Sequence, residues 1–192
     1  MAAKIVIVIS GMPGCGSTTT GKLLADKLKM EFFSVGTYFK NLDEDKWMDA
    51  YYRETATSIE LWKSDIGKKI QFTKEGSLNK LEQLQIDKAK KGSIVIESKL
   101  GIRFLKAYAT LTVWLKAPLE TRVTRYAQRE GVTLEEAAQL LREKETLERE
   151  NFKKIYGFDF FVQEKEADVV IDTSDKAPGE IVGAILARMK KA

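Results

Sequence analysis

A glycine-rich stretch near the start of the chain has the composition of a phosphate-binding loop. Gly11, Gly14 and Gly16 follow the apolar run Ile5–Ile9, hydroxyl residues come next, and a helical pattern begins there. Such a turn lets successive backbone N–H groups converge on an anion, and the helix N-terminus adds its partial positive charge. An ordinary strand–turn–helix connection, which needs glycine only for its φ angles, is the weaker interpretation.

The position that usually holds lysine in such loops is occupied by Ser17. The common pattern is G-x-x-x-x-G-K-[ST], in which the lysine contacts the β- and γ-phosphates and the hydroxyl binds Mg²⁺. Gly11, Gly16 and Thr18 fit this pattern. The serine leaves the backbone amides in place but removes a positive charge from phosphoryl transfer, whose catalysis depends on positioned charge. The loop therefore predicts phosphate binding and leaves the rate of catalysis open.

The chain has one cysteine, Cys15, which lies inside this loop, and it has no histidine. That inventory excludes an internal disulfide and argues against a zinc site. Because helix N–H groups favour a thiolate, we expect the Cys15 thiol to ionise readily. We expect no catalytic role for it, but we expect bound ATP or ADP to slow its alkylation.

Short runs rich in β-branched residues alternate with helical patterns along the chain. These runs are 4–10, 32–34, 93–97, 111–115 and 168–172. The alternation predicts an α/β fold with a five-stranded parallel sheet and helices on both faces. Ligands bind at the carboxyl ends of the strands in such sheets. The residues at those ends are Gly11, Ser34, Glu97, Lys116 and Asp172. We expect them to form one site.

An arginine-rich stretch lies between the fourth and fifth of these runs. Arg122, Arg125 and Arg129 have the spacing i, i+3, i+7 and share one face of a predicted helix. Thr133 and Glu136 form a capping-box sequence that starts the next helix. A solvated, salt-bridged surface is the usual meaning of such charge runs. Their position in the crossover above the phosphate loop supports a role in the site equally well.

The bulk composition is that of a single globular domain. The chain has 192 residues, of which 44% are hydrophobic and 31% are charged. The first apolar run is too short for a signal segment or a membrane span, so we expect a cytoplasmic protein without a membrane partner. A net charge of +4 suits anionic small molecules but is too small to indicate nucleic acid. The oligomeric state stays open.

Several stretches resemble the nucleoside monophosphate kinases of the adenylate kinase type, most closely the archaeal-type cytidylate kinases. These stretches are 11–19, 33–40, 91–100, 114–122, 129–132, 156–159 and 171–174. The resemblance implies one P-loop domain over 1–192, with a helical monophosphate-binding insertion at 37–91 and a helical lid at 118–160. It implies transfer of the γ-phosphoryl group of ATP, with Mg²⁺, to a nucleoside monophosphate, with CMP or dCMP favoured.

The resemblance also implies roles for individual residues. The donor phosphates would lie on the loop residues Gly11, Gly14, Cys15, Gly16, Ser17, Thr18 and Thr19. The metal would lie near Thr18 and Glu97. The donor base would lie against Arg122 and beside Asp172, Thr173 and Ser174. The candidates for catalysis are Lys40, Lys99, Arg125 and Arg129, of which the two lysines would hold the acceptor phosphate.

The chain departs from the family pattern at several basic positions. Lys40, Lys99 and Lys144 stand where such kinases usually or often have arginine, and Asn151 stands at another such position. A lysine cannot form two parallel bonds to a phosphate as arginine does. Three alternatives follow: a working kinase, a nucleotide-binding relative with little activity that acts through a partner, or a P-loop protein with a different phosphorylated acceptor.

Overall fold

The computed structural model describes residues 4–40 and 80–190, and within them it contains a five-stranded parallel sheet. The strands are β1 (Val6–Gly11), β2 (Glu31–Ser34), β3 (Ile94–Glu97), β4 (Leu111–Lys116) and β5 (Val169–Asp172). Their order in the sheet is β2–β3–β1–β4–β5. The predicted fold class is confirmed, and each strand lies within two residues of its predicted run.

Helices cover both faces of this sheet. In the described residues they are α1 (Ser17–Leu28), α2 (Val35–Lys40), α3 (Lys80–Lys91), α4 (Gly101–Leu105), α5 (Leu119–Glu130), α6 (Leu134–Tyr156), α7 (Gln163–Glu166) and α8 (Pro178–Met189). A single 3-10 turn, Phe160–Val162, precedes α7. Helix α2 begins two residues before the predicted Thr37, because the Ser34 hydroxyl accepts a hydrogen bond from the Thr37 N–H and caps the helix there.

The apolar residues of β1 divide between two cores. Ile7 and Ile9 belong to the cluster that α1 and α8 complete, whereas Val6 and Val8 belong to the cluster on the opposite face, with α3 and α4. A strand that is buried on both faces has apolar side chains on both of them. This explains why β1 appears in the sequence as a continuous apolar run rather than an alternating one.

The predicted insertion at 37–91 lies mostly outside the described residues, since 41–79 are not described. Its last segment, α3, packs Ile86 and Ala89 into the core that also contains β3. The division of the chain into insertion and core therefore stays a prediction.

The predicted lid at 118–160 consists largely of α5 and α6. These helices share a small core formed by Val123, Tyr126, Ala127, Ala137 and Leu141. The capping box predicted for α6 is present: the Thr133 hydroxyl accepts from the Glu136 N–H at 3.2 Å, and the Glu136 carboxylate accepts from the Thr133 N–H at 2.9 Å. Whether the pair moves as a lid stays a prediction. No helix in the described residues has the length and apolar character to cross a membrane.

Candidate active site

The glycines of the loop between β1 and α1 are needed for two different reasons. Gly14 and Gly16 have φ angles of 81° and 89°, in the left-handed region that residues with a β-carbon rarely adopt. At Gly11 the limit is space, because a β-carbon there would lie 2.4 Å from the Leu115 carbonyl oxygen on β4. The loop is thus held against the sheet in a conformation that depends on all three.

The first turn of α1 presents donors to a ligand. The first hydrogen bond of the helix runs from the Thr20 N–H to the Gly16 carbonyl at 2.9 Å, so the N–H groups of the three residues between them have no partner within the helix. No side chain of the described residues caps this end, and its first turn has no acidic residue. Thr18 and Thr19 are exposed there. This helix start fits a phosphate group.

Three of the predicted site residues meet at Glu97. The Ser17 hydroxyl donates to one carboxylate oxygen of Glu97 at 2.9 Å, and the Ser34 hydroxyl donates to the other at 2.7 Å. Ser34 and Glu97 are register partners at the carboxyl ends of β2 and β3. The expected convergence of strand ends is therefore present here, with the loop serine tied into it.

The donor set near Ser17 fits magnesium bound mainly through a nucleotide. The described residues contain no group of three or more His, Cys, Asp or Glu side chains placed to hold a metal ion. Mg²⁺ in nucleotide sites needs only one or two protein ligands, because phosphates and water supply the rest. The hydroxyl of the exposed residue Thr18, together with Glu97, which contacts the neighbouring Ser17, is compatible with such a site.

Lys99, which follows β3, contacts the first glycine of the loop through its side chain. Its ammonium donates to the Gly11 carbonyl at 3.2 Å and forms an ion pair at 3.4 Å with Glu148, a buried carboxylate of α6. The ring of Phe160 lies 5.4 Å from the same nitrogen. The other lysine expected at the acceptor phosphate, Lys40, is the last residue of α2, and its side chain lies outside the described part of the structure.

Arg125 connects the end of β5 with the phosphate loop. Its guanidinium donates to the hydroxyl of Thr173 at 2.9 Å and to the carbonyl of Thr173 at 2.6 Å. The buried Thr173 hydroxyl in turn donates to the Cys15 carbonyl at 3.1 Å. The guanidinium and the loop are therefore fixed relative to each other through one threonine.

A cleft of about 530 Å³ opens beside this junction. It is lined by Gly14, Gly16 and Thr19 from the loop and α1, and its basic residues are Arg125, Arg129 and Lys176. Arg129 is 58% exposed and pairs with Glu130. A cleft with basic side chains next to an open helix start suits an anionic ligand.

Arg122, which is expected at the donor base, is buried behind the loop and is not among the residues that line this cleft. Its contact with the donor base stays a prediction. Arg122 is 5% exposed and donates to the Ala117 carbonyl at 3.0 Å and to the Pro13 carbonyl at 3.2 Å. It also forms an ion pair with Glu145 of α6. Arg122 is packed against the backbone of Gly14, and the arginines of the same helix that line the cleft are Arg125 and Arg129.

The expectation of an easily ionised Cys15 thiol is wrong. Cys15 is fully buried in the core on the α1 face of the sheet. Burial raises the pKa of the Cys15 thiol, and this outweighs the lowering by Lys99 and by the hydrogen bond with the Ser17 backbone. The Cys15 carbonyl contributes to the site, whereas its sulfur contributes to the core.

Asp172 and Ser174 form a local turn at the end of β5. The N–H of Ser174 donates to the Asp172 carboxylate at 2.9 Å, and the Ser174 hydroxyl donates to the same oxygen. These bonds hold the pKa of Asp172 below its usual value. Lys116, at the neighbouring strand end, pairs with Glu164 at 2.6 Å. Of this group, Thr173 is the residue in direct contact with the loop.

Sequence reasoning missed three residues of this region. Glu145 and Glu148 belong to a glutamate-rich helix of the kind that is usually solvated, and their i, i+3 spacing was the available signal for a shared face. Lys176, in the turn after β5, has no distinguishing pattern around it.

The order of the sheet, the glycine loop and the helix start that follows it define a P-loop kinase fold. Residues 6–175 match the family model described as the cytidylate kinase-like family, and the chain belongs to that family.

Curated relatives agree over nearly the full length. The cytidylate kinase of Ignicoccus hospitalis is 33% identical over 186 residues, which cover 94% of this chain and 96% of that protein. The cytidylate kinase of Methanopyrus kandleri is 33% identical over 186 residues, covering 89% and 86%. That of Pyrococcus horikoshii is 30% identical over 190 residues, covering 96% and 88%.

Solved structures share the fold at lower identity. An uncharacterized protein from Eubacterium ventriosum has a TM-score of 0.68 at 17% identity, with coverage of 98% of this chain and 100% of that one. Shikimate kinase from Acinetobacter baumannii, in complex with shikimate, has a TM-score of 0.57 at 20% identity, with coverage of 98% and 94%. At these identities the likeness concerns the fold alone.

Proposed function

We propose that this protein is a nucleoside monophosphate kinase that transfers the γ-phosphoryl group of ATP to a nucleoside monophosphate, with CMP and dCMP favoured. The observation that carries the proposal is the open first turn of α1, preceded by a loop that two cations hold at different residues. Lys99 contacts the loop at Gly11, and Arg125 contacts it at Cys15 through Thr173. Phosphoryl transfer depends mainly on positioning and on positive charge around the transferring group, which this arrangement supplies.

Each group then has a defined task. The N–H groups of Ser17, Thr18 and Thr19 would bind the donor phosphates, with the rest of ATP in the basic cleft beside Arg125. Lys99, together with Lys40, would hold the phosphate of the acceptor. Thr18 and Glu97 would hold Mg²⁺, which when bound neutralises charge on the phosphates.

The preference for CMP is supported by the names of the relatives, which are cytidylate kinases over nearly the whole length of the chain. The test is a coupled assay of ADP formation with ATP, Mg²⁺ and each of CMP, dCMP, UMP and AMP. We expect the highest kcat/KM with CMP or dCMP. A higher value with UMP or AMP would overturn the preference, and no turnover with any of the four would overturn the kinase itself.

The metal assignment has its own matched pair of variants. Thr18→Ala should raise the Mg²⁺ concentration needed for half-maximal rate, because it removes the hydroxyl assigned to the metal. Thr19→Ala removes a hydroxyl from the next residue, which is also exposed, and should leave that Mg²⁺ requirement unchanged. The same shift in both variants would contradict the assignment to Thr18.

A second candidate function is favoured by the Ser17–Glu97 hydrogen bond. Where the common loop pattern has a lysine, this chain has a neutral hydroxyl bonded to a carboxylate at 2.9 Å. A nucleotide-binding relative with little activity, acting through a partner, would have this feature. Calorimetry that detects ATP binding, combined with no product in the coupled assay, would support this candidate over the kinase.

A further inference from the structure

The position of Lys99 is set from several sides. Its backbone carbonyl accepts a hydrogen bond at 2.9 Å from Gln163, a fully buried side chain of α7. Its ammonium donates to the Gly11 carbonyl, and the Phe160 ring covers another side of it. The side chain of Lys99 is 27% exposed, so it is partly screened from water without being fully buried.

Glu148 is the one carboxylate paired with this ammonium among the described residues. Its side chain is 2% exposed, and its Oε2 atom lies 3.4 Å from the Lys99 nitrogen. That oxygen has no hydrogen bond to any described residue. A buried carboxylate is costly unless a partner compensates its charge. The ammonium of Lys99 is the cation that compensates the charge of Glu148.

The contacts of Lys99 use only some of the hydrogen-bond donors of its ammonium. An ammonium has three N–H donors in a tetrahedral arrangement. The Gly11 carbonyl takes one of them, and the electrostatic attraction of Glu148 draws the ammonium toward α6. These two contacts restrict the rotation of the ammonium group, and a remaining donor is left for an anion that arrives at the carboxyl edge of the sheet.

We propose that Glu148 is a positioning residue for the acceptor phosphate and that it acts through Lys99. Helix α6 thereby helps to form the acceptor site although Glu148 itself touches no substrate. This inference rests on the proposed function, in which Lys99 binds the phosphate of the nucleoside monophosphate. A Glu148 that served only to attach α6 to the core would affect stability without depending on Lys99.

A double-mutant cycle distinguishes these two roles. Binding of CMP is measured by calorimetry for the natural chain, Glu148→Gln, Lys99→Met and the double variant. We expect Lys99→Met to weaken CMP binding by about 10- to 100-fold, as for the loss of a charged hydrogen bond, and Glu148→Gln to weaken it by about tenfold. In the Lys99→Met background, Glu148→Gln should have no further effect, because the residue it positions is gone.

Two controls test whether the effect requires the phosphate of CMP and whether it is specific to position 148 of α6. Cytidine, which has no phosphate, should bind all four chains equally. Glu150→Gln makes the same substitution at an exposed residue two positions further along α6 and should bind CMP like the natural chain. If Glu148→Gln weakens CMP binding equally with and without Lys99, the residue acts structurally and the inference is overturned.

The cycle also separates the inference from the proposed function. A natural chain that binds none of CMP, dCMP, UMP and AMP overturns the proposed function and this inference with it. A natural chain that binds and phosphorylates CMP while the cycle is additive overturns only the inference. If Glu148→Gln does not fold, Glu148→Asp keeps the charge on a shorter side chain, and the same dependence on Lys99 is expected of it.

Discussion

The Ser17 hydroxyl donates a hydrogen bond of 2.9 Å to Glu97, and this ties the first residue of α1 to the end of β3. Glu97 accepts a second hydrogen bond, from the Ser34 hydroxyl, so its carboxylate is oriented by two neutral donors. A lysine at position 17 would place a positive charge at the same point. The loop therefore keeps its geometry while its charge is lower than in the common pattern.

The variant Ser17→Lys tests what this missing charge means. We expect it to raise kcat for nucleoside monophosphate phosphorylation by about tenfold, because an ammonium there stabilises charge on the transferring phosphoryl group. The measurement is the coupled assay at saturating substrates, with Ser17→Ala as the control for loss of the hydroxyl. If Ser17→Lys is slower than Ser17→Ala, another cation already stabilises the charge on the transferring phosphoryl group, and the new side chain crowds the site.

Arg122 should be important for stability, since it is buried and contacts the loop. Arg122→Met leaves the Glu145 carboxylate without its cation and the Pro13 and Ala117 carbonyls without a donor. We expect the free energy of unfolding in urea to fall by about 3 kcal/mol. Arg129→Met, on the same helix but at a residue that is 58% exposed, should cost less than about 1 kcal/mol. Equal losses would contradict the assignment of Arg122 to the support of the loop.

The fold could be predicted from the sequence because three of its strands, β1, β3 and β4, are buried on both faces. Such strands appear as unbroken apolar runs, and β1 and β4 lie within two residues of their predicted positions for that reason. The capping box at Thr133 is likewise a local signal, and it marks the start of α6. The helices α4 and α7 have five and four residues, too few to show a helical period.

The site could be predicted only in part, because side-chain partners are set by tertiary packing. The strand ends identified Ser34 and Glu97, which do meet in the structure. The i, i+3 spacing of Arg122 and Arg125 placed them on one helix face but could not say which of them is buried behind the loop. The burial of Cys15 depends on residues far away in the sequence, and no local pattern predicts it.

Cys15 should react slowly with thiol reagents in the native protein. Burial keeps its thiol from solvent and raises its pKa, so the thiolate that reacts is scarce at neutral pH. We expect the rate of alkylation to be low without any nucleotide and to increase after unfolding in urea, where this only thiol of the chain serves as its own control. Rapid labelling of the folded chain at neutral pH would contradict the buried position.

Asp168 should make stability depend on pH in the acid range. Burial raises the pKa of Asp168, but hydrogen bonds from the Thr112 hydroxyl and N–H, at 2.7 and 2.8 Å, hold it below its ordinary value of 3.8. The folded state then binds the proton more weakly than the unfolded chain does. The stabilisation is therefore present above about pH 3.8 and is lost as the pH falls through the folded pKa.

The measurement is Tm as a function of pH for the natural chain and for Asp168→Asn. We expect Asp168→Asn to lower Tm at pH 7 and the difference to shrink below about pH 4. In a Thr112→Val background, which lacks the hydroxyl donor, the pH-dependent part of the difference should be smaller. A difference that grows toward acid pH would contradict a lowered pKa of Asp168 in the folded protein.

The transfer of a labelled γ-phosphoryl group tests the central claim most directly. ATP labelled at the γ-position is incubated with Mg²⁺, CMP and the protein, and the products are separated and counted. The proposed function predicts label in CDP, with one ADP formed for each CDP, because the acceptor is a nucleoside monophosphate. Label that stays in ATP, or that appears as inorganic phosphate without labelled CDP, would contradict a CMP kinase.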